Sequence, residues 1–207
     1  KFLQISESNF YKVLKPVYKA IEITRKKLER EKSLISFVGA PWTLLVYMLD
    51  LKKGKKEIDT SKLESSDIKI DAILDKLTNF LCLHIKNQID AGADVIQIFD
   101  SWAGLLKKRN LKKFCFLPNK KLVEFCKNNK IPVICFPKGI KSAYLEFNKI
   151  VKPDGLNLDS EIDLNWARTN LRGVVLQGGM DPKILLENEN RIFNEAKKYL
   201  DVFKDVP

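Results

Sequence analysis

The sequence predicts an α/β fold, an incomplete TIM-type (β/α)8 barrel with about five strand–helix units, on three observations. Segments of helical periodicity alternate with short apolar runs along most of the chain. The runs are apolar nearly throughout, as in strands of a parallel sheet buried on both faces. Each run closes on small or polar residues: Gly39, Asp100 with Ser101, Gly139, Asp159 with Ser160, and Gly178. Loops around one barrel mouth have that composition. The competing architecture is an open doubly wound sheet, but no run is followed by a Gly-x-Gly-x-x-Gly phosphate loop.

In chain order, residues 7–31 carry apolar positions at Phe10, Val13, Leu14, Val17, Ile21 and Leu28, a helical spacing that Pro16 is expected to interrupt. Residues 34–38 are the first strand, and a helix begins near Trp42. The polar stretch 52–69 reads as a solvated loop or lid, and 71–91 as a long amphipathic helix. Strands at 94–99, 132–136, 154–159 and 173–177 alternate with helices at 117–130, 142–151, 164–171 and 189–203. Residues 1–207 are expected to form one domain. Five strands do not close an eight-stranded barrel. The chain starts without Met and stops after a helix, at Asp205-Val206-Pro207, so it is expected to be an internal part of a longer barrel.

Composition narrows the class of function. With 45% apolar and 30% charged residues, 207 residues suffice for a sizeable core. No apolar stretch is long enough for a bilayer, and residues 1–6 lack a signal core, so the expected location is cytoplasmic. Cys82, Cys115, Cys126 and Cys135 have neither pairing nor metal-ligand spacing and read as small buried apolar residues. Cys82-Leu83-His84 is no metal pair, since residues two apart on a helix diverge. The net charge of +11 raises the possibility of a basic nucleic-acid-binding module. The basic clusters at 52–56 and 107–109 lack interleaved aromatics for base stacking; the lysine-heavy charge, with many Ile and Asn, reads first as compositional bias of an AT-rich genome and second as a field favouring an anionic small molecule.

The densest functional signal is Ile35-Ser36-Phe37-Val38-Gly39-Ala40-Pro41-Trp42-Thr43-Leu44-Leu45-Val46-Tyr47. Gly39 and Pro41 shape a tight turn at a strand's carboxyl end. Thr43 and Tyr47, four residues apart, share one helix face. Ser101 offers a hydroxyl from the next strand end, either to a ligand or as a helix N-cap, a role open to Asp100 as well. Asp100 and Asp159 are read as carboxylates satisfying loop amides or capping helices, with a catalytic pair as the less favoured role. Lys138 reads as a surface lysine within reach of an acidic ligand. Phe99, Trp102 and Phe136 are expected to fill the barrel or line its mouth, and Trp42 to pack beneath the turn.

The stretch from Phe37 to Leu44 resembles the Gly-Ala-Pro-Trp-Thr-Leu signature of uroporphyrinogen decarboxylases, with Tyr47 at the family's active-site tyrosine. Residues 91–104 are similar to the family's next barrel strand, with Ser101 at its substrate-binding serine. Residues 132–139, 155–159 and 176–182 match three further family segments in the same order. Ser36 stands where the family usually has Gly, Ser160 where it often has Trp, and Gly179-Met180 where it usually has Asn-Leu. The resemblance implies cofactor-independent removal of CO2 from the four acetate side chains of uroporphyrinogen III, giving coproporphyrinogen III in porphyrin biosynthesis, by a homodimer. It implies Tyr47, Ser101 and Thr43 as substrate-binding residues. It places the family's arginine motif, catalytic aspartate and Gly-His motif before Lys1 and after Pro207. A zinc- or corrinoid-dependent methyltransferase of the same superfamily is the alternative. Its His and Cys ligands have no counterpart here, because His84 falls within a helix and no strand-end cysteine has a partner.

Overall fold

A computed structural model of the chain describes residues 1–54, 57–63 and 69–205. In order, the elements are α1 (Glu7–Lys27), β1 (Ile35–Gly39), α2 (Pro41–Met48), α3 (Ile70–Asp90), β2 (Val95–Asp100), α4 (Lys108–Leu111), α5 (Leu117–Asn128), β3 (Val133–Pro137), α6 (Tyr144–Val151), β4 (Gly155–Leu158), α7 (Leu164–Asn170), β5 (Val175–Gly178) and α8 (Glu189–Phe203). The strands form one parallel sheet in the order β1-β2-β3-β4-β5. A doubly wound sheet reverses its strand order at a switch point. This order never reverses, so the sheet is an arc of a barrel with helices on one side.

That side holds the core. Val38, Ile96, Ile98, Val133, Cys135, Leu156 and Leu158 point toward the helices and are buried against Leu45, Leu81, Ile85, Leu122 and Phe147. The opposite face departs from the expectation of strands buried on both sides. That face carries Ile35, Phe37, Phe99, Ile134, Phe136 and Val175, and Phe37 is 65% exposed. Five strands curve without closing, and nothing among the described residues packs on the concave face. Phe37, Phe99 and Phe136 instead pack edge to face across three strands, with centroids 5.8 and 6.1 Å apart.

The end of the sheet where the strands begin is stapled by carboxylates. Asp94 accepts the Leu34 N–H and the Arg25 guanidinium, both at 2.7 Å, and Asp154 accepts the Val133 N–H at 3.0 Å. Arg25 also donates to the carbonyls of Leu28, Glu29 and Lys32, closing the carboxyl end of α1. Pro16 does not interrupt α1, contrary to the periodicity reading. Its ring is exposed, so the carbonyl one turn back, deprived of its helical donor, can turn to water. Helix α5 is also entered earlier than predicted, through α4 and a π-helical turn, Lys112–Phe116. That wide turn buries three consecutive side chains, Phe114, Cys115 and Phe116, which a regular α-helix would spread over different faces. Of the predicted 52–69 loop, Lys52 bridges to Ile58 and Ser61–Leu63 forms a 3-10 turn; residues 55–56 and 64–68 lie outside the described residues.

Helices α1, α3 and strand β1 are joined by a polar chain centred on His84. Ser36 donates its hydroxyl to Gln88 Oε1, and the Gln88 amide lies 2.7 Å from His84 Nε2. With Gln88 assigned as donor there, the neutral imidazole carries its proton on Nδ1 and gives it to the Tyr18 hydroxyl at 3.1 Å. Burial lowers the imidazole pKa to about 4. The stability that neutral His84 confers is complete above pH 6.5 and is lost as pH falls through 4. The protein is expected to lose up to roughly 3 kcal/mol over that window that His84→Gln does not lose. Urea denaturation of both at pH 7 and pH 4.5 measures this, and equal losses would contradict a buried neutral imidazole.

Candidate active site

The mouth is built at the carboxyl ends of β1 to β4. At the end of β1 the chain turns within Gly39-Ala40-Pro41, and Pro41 opens α2 at a position where no backbone donor is needed. A Cβ on Gly39 would press on the Leu44 side chain at 3.0 Å, so glycine lets α2 fold back against its own strand. Trp42 is fully buried beneath the turn, as expected, with its indole N–H donated to the Trp102 carbonyl at 3.0 Å.

Thr43 and Tyr47 end up in different environments. Thr43 is 5% exposed and gives its hydroxyl proton to Asp100 Oδ1 at 2.9 Å. Tyr47, one turn later, is 60% exposed, and its hydroxyl makes no hydrogen bond within the described residues. Asp100 does not cap the turn that follows it; it takes the backbone N–H of Thr43 in the first turn of α2, a cap supplied from the neighbouring strand end. Its 1% exposed carboxylate points to the helix side, where Oδ2 accepts the Asn119 amide at 3.0 Å. Burial raises its pKa to about 6, against the opposing pull of the Thr43 hydroxyl, the Cys115 thiol and the Asn119 amide. Asn119 escaped the sequence reading because its role depends on α5 crossing the end of β2, a long-range contact that spacing does not reveal.

Ser101 follows Asp100 directly. It caps no helix, and the short 3-10 turn after it has Trp102 at its start. The Ser101 hydroxyl is half-buried and has no partner within the described residues, so it is an available donor beside the mouth. The Trp102 ring stands edge to face with Tyr47, centroids 6.1 Å apart. Phe99 and Phe136 lie one residue below the ends of β2 and β3 and form an apolar floor. Lys138 is exposed at the end of β3.

Backbone contacts strap neighbouring loops together. The Gly104 N–H donates to the Lys138 carbonyl at 2.9 Å, and the Lys138 N–H donates to the Asp100 carbonyl at 3.2 Å. Asp159 satisfies loop amides, as predicted: Oδ2 accepts the Gly139 N–H and the Tyr144 hydroxyl, and Oδ1 accepts the Glu161 N–H. Neither Asp100 nor Asp159 is therefore a free acid facing the mouth. Among the described residues no group of three His, Cys, Asp or Glu side chains is placed to hold a metal ion. Cys135 lies inside β3 on the helix side, and His84 lies in α3.

A parallel barrel arc, a Gly-Ala-Pro turn into a short helix, and free Tyr and Ser hydroxyls over an aromatic floor place the chain among α/β-barrel proteins, a class that carries its sites at the strand ends. The sequence profile described as Uroporphyrinogen decarboxylase (URO-D) matches residues 2–206, and the chain belongs to that family. Similar curated proteins include the uroporphyrinogen decarboxylases of Rickettsia bellii (37% identical over 210 residues) and Jannaschia sp. (32% over 204 residues). Alignment covers 99% and 96% of this chain but 60% and 59% of theirs, so the chain spans about three-fifths of the length of these relatives. A methyltransferase from Methanosarcina mazei superimposes with a TM-score of 0.54, over 88% of this chain and 64% of that one. At 18% identity that likeness shows the fold alone.

Two outcomes test this geometry. A Cβ at Gly104 would lie 2.6 Å from the Gly139 backbone, which cannot yield as a side chain tip would, so Gly104→Ala is expected to cost about 1–3 kcal/mol in urea denaturation. Asp100, with its native pKa raised, destabilises the fold as pH rises from 3.8 through 6, the opposite sense to His84. Asp100→Asn is expected to gain up to about 3 kcal/mol relative to the parent protein between pH 4 and pH 8. A difference independent of pH would mean that the carboxylate is not buried in charged form.

Proposed function

We propose that the full-length protein carrying this chain is a carboxy-lyase that decarboxylates the four acetate side chains of uroporphyrinogen III, giving coproporphyrinogen III. The family match over residues 2–206 carries this reading. The mouth supports it: an apolar floor of Phe37, Phe99 and Phe136 suits the face of a macrocycle, and free Tyr47 and Ser101 hydroxyls above it suit peripheral carboxylates.

Each cycle releases one carboxylate as CO2 and adds one proton, turning an acetate into a methyl group. The barrier lies in the electron pair left on carbon. Prior protonation of the pyrrole carbon makes the ring the acceptor of that pair; when the exocyclic carbon is then protonated, the ring proton is lost and the pyrrole is restored. A polar, water-poor mouth serves this by holding the ring and its carboxylates in fixed relation. Tyr47 and Ser101 would each donate to a substrate carboxylate, a charge-assisted bond contributing roughly 1.5–3 kcal/mol. Thr43 enters through Asp100, which fixes the turn that presents Tyr47. Asp100 and Asp159 are both held by donors of the fold itself, so the proton donor is expected from another part of the protein. We place the reaction in the cytoplasm, consistent with four unpaired cysteines and no membrane-spanning helix among the described residues. We also expect a single domain across 1–207 and a homodimer, which sedimentation of the full-length protein would check.

The test is anaerobic turnover of uroporphyrinogen III by the full-length protein, following the seven- to four-carboxylate products. Tyr47→Phe is expected to lower kcat/KM by about tenfold, and Lys138→Ala by less; equal effects would remove the role assigned to Tyr47. Residues 1–207 alone are expected to show no turnover, because the concave face is open to water and lacks the acid. Measurable activity from them would overturn that expectation.

A further inference from the structure

The geometry points to Lys52 as a carboxylate-binding residue of this mouth: its ammonium, held over the Trp102 indole, and the Tyr47 hydroxyl on the same ring together receive one acidic side chain of the ligand. This deepens the proposed function and rests on it for the class of ligand, a polycarboxylate with an apolar body. Tyr47 and Ser101 supply hydrogen bonds but no charge, and a multiply charged anion binds better where a cation shares the surface.

Lys52 differs from an ordinary surface lysine in three respects. Its backbone is tethered: Leu51 is fully buried, its N–H donates to the Val46 carbonyl at 3.0 Å, and its own carbonyl accepts the Asp59 N–H at 2.6 Å. Lys52 itself pairs antiparallel with Ile58, and the Lys53 N–H donates to the Glu57 carbonyl at 3.1 Å. The segment after α2 is thus fixed to the helix that carries Tyr47. Second, the ammonium lies 4.6 Å from the Trp102 ring centroid, and Tyr47 packs against the same ring. A cation resting on an aromatic face has already given up much of its rotamer freedom, so a ligand meets it nearly in place. Third, its charge is uncompensated. Lys53, the next residue, pairs with Asp59 at 3.1 Å, whereas no carboxylate pairs with Lys52 among the described residues.

A purely structural role, the lysine stem shielding the indole, predicts that charge is irrelevant. Lys52→Met separates the two roles, because it keeps the apolar stem over Trp102 and removes only the cation. The experiment is equilibrium binding of coproporphyrin III, a four-carboxylate probe, to the full-length protein at two salt concentrations. Lys52→Met is expected to weaken binding about tenfold and to flatten the salt dependence, with Lys52→Arg within about twofold of the parent. Lys53→Met, which removes an already paired charge, is expected to leave binding unchanged. Parent-like affinity in Lys52→Met, an equal loss in Lys53→Met, or no porphyrin binding by the parent protein would each overturn the inference. Binding that depends on Lys52 without turnover of uroporphyrinogen would remove the proposed reaction and leave this site standing. Turnover with parent-like KM in Lys52→Met would remove this site and leave the reaction standing.

Discussion

The Asp100 carboxylate takes the Thr43 hydroxyl on one oxygen and the Asn119 amide on the other, and so fixes α2 and α5 to the end of β2. Apolar packing alone would not do this, because burial of Leu45, Val46 and Leu122 is favourable over a range of helix positions. Hydrogen bonds to a fixed acceptor single out one of them. Burying a carboxylate costs several kcal/mol, and three donors offset part of that cost. What the cost secures is position. Ser101 is the next residue along the strand end, and Tyr47 lies one helical turn beyond Thr43. Both unpartnered hydroxyls are therefore set by a group that is itself buried.

The same arrangement divides the sheet into two chemistries. Toward the helices the strands present Val, Ile, Leu and one cysteine, close-packed, with Ser36 and Asp100 as polar groups satisfied by the helices. Toward the concave side they present aromatic rings and the amides Gln97, Asn157 and Gln177, all on one face of the sheet. A face of that kind suits a large apolar body and offers it no charge. The charge has to come from the rim, where the loops after the strands are.

Much of this was legible in the sequence. All five strands lie within two residues of their predicted starts and ends, because parallel strands read as continuous apolar runs with small residues at their ends. The Gly39-Ala40-Pro41 turn, the placement of Trp42 and the amide-binding role of Asp159 were readable from local chemistry. What escaped depends on tertiary context. Pro16 looked like a helix break, but solvent can take the carbonyl that it strands. Asp100 looked like a cap for the helix after it, but it serves the first turn of α2 instead, and its side-chain partners lie 19 and 57 residues away. The helical face shared by Thr43 and Tyr47 was correct as geometry, yet the sheet covers only its first turn. Ser36, a departure from the family pattern, is explained by α3: its hydroxyl completes the chain through Gln88 to His84.

The seam between Gly104 and Gly139 has no side chain in it; two backbones meet directly, joined by the Gly104 to Lys138 hydrogen bond. Loops that touch through backbone cannot diversify independently, because Gly104 has no space for a side chain and Gly139 sits at a φ of +78° that disfavours one. Recombination between relatives would have to move the β2 and β3 loops as one cassette. Any change at this end of the sheet that keeps the seam closed then has to fall on residues that stand outside it.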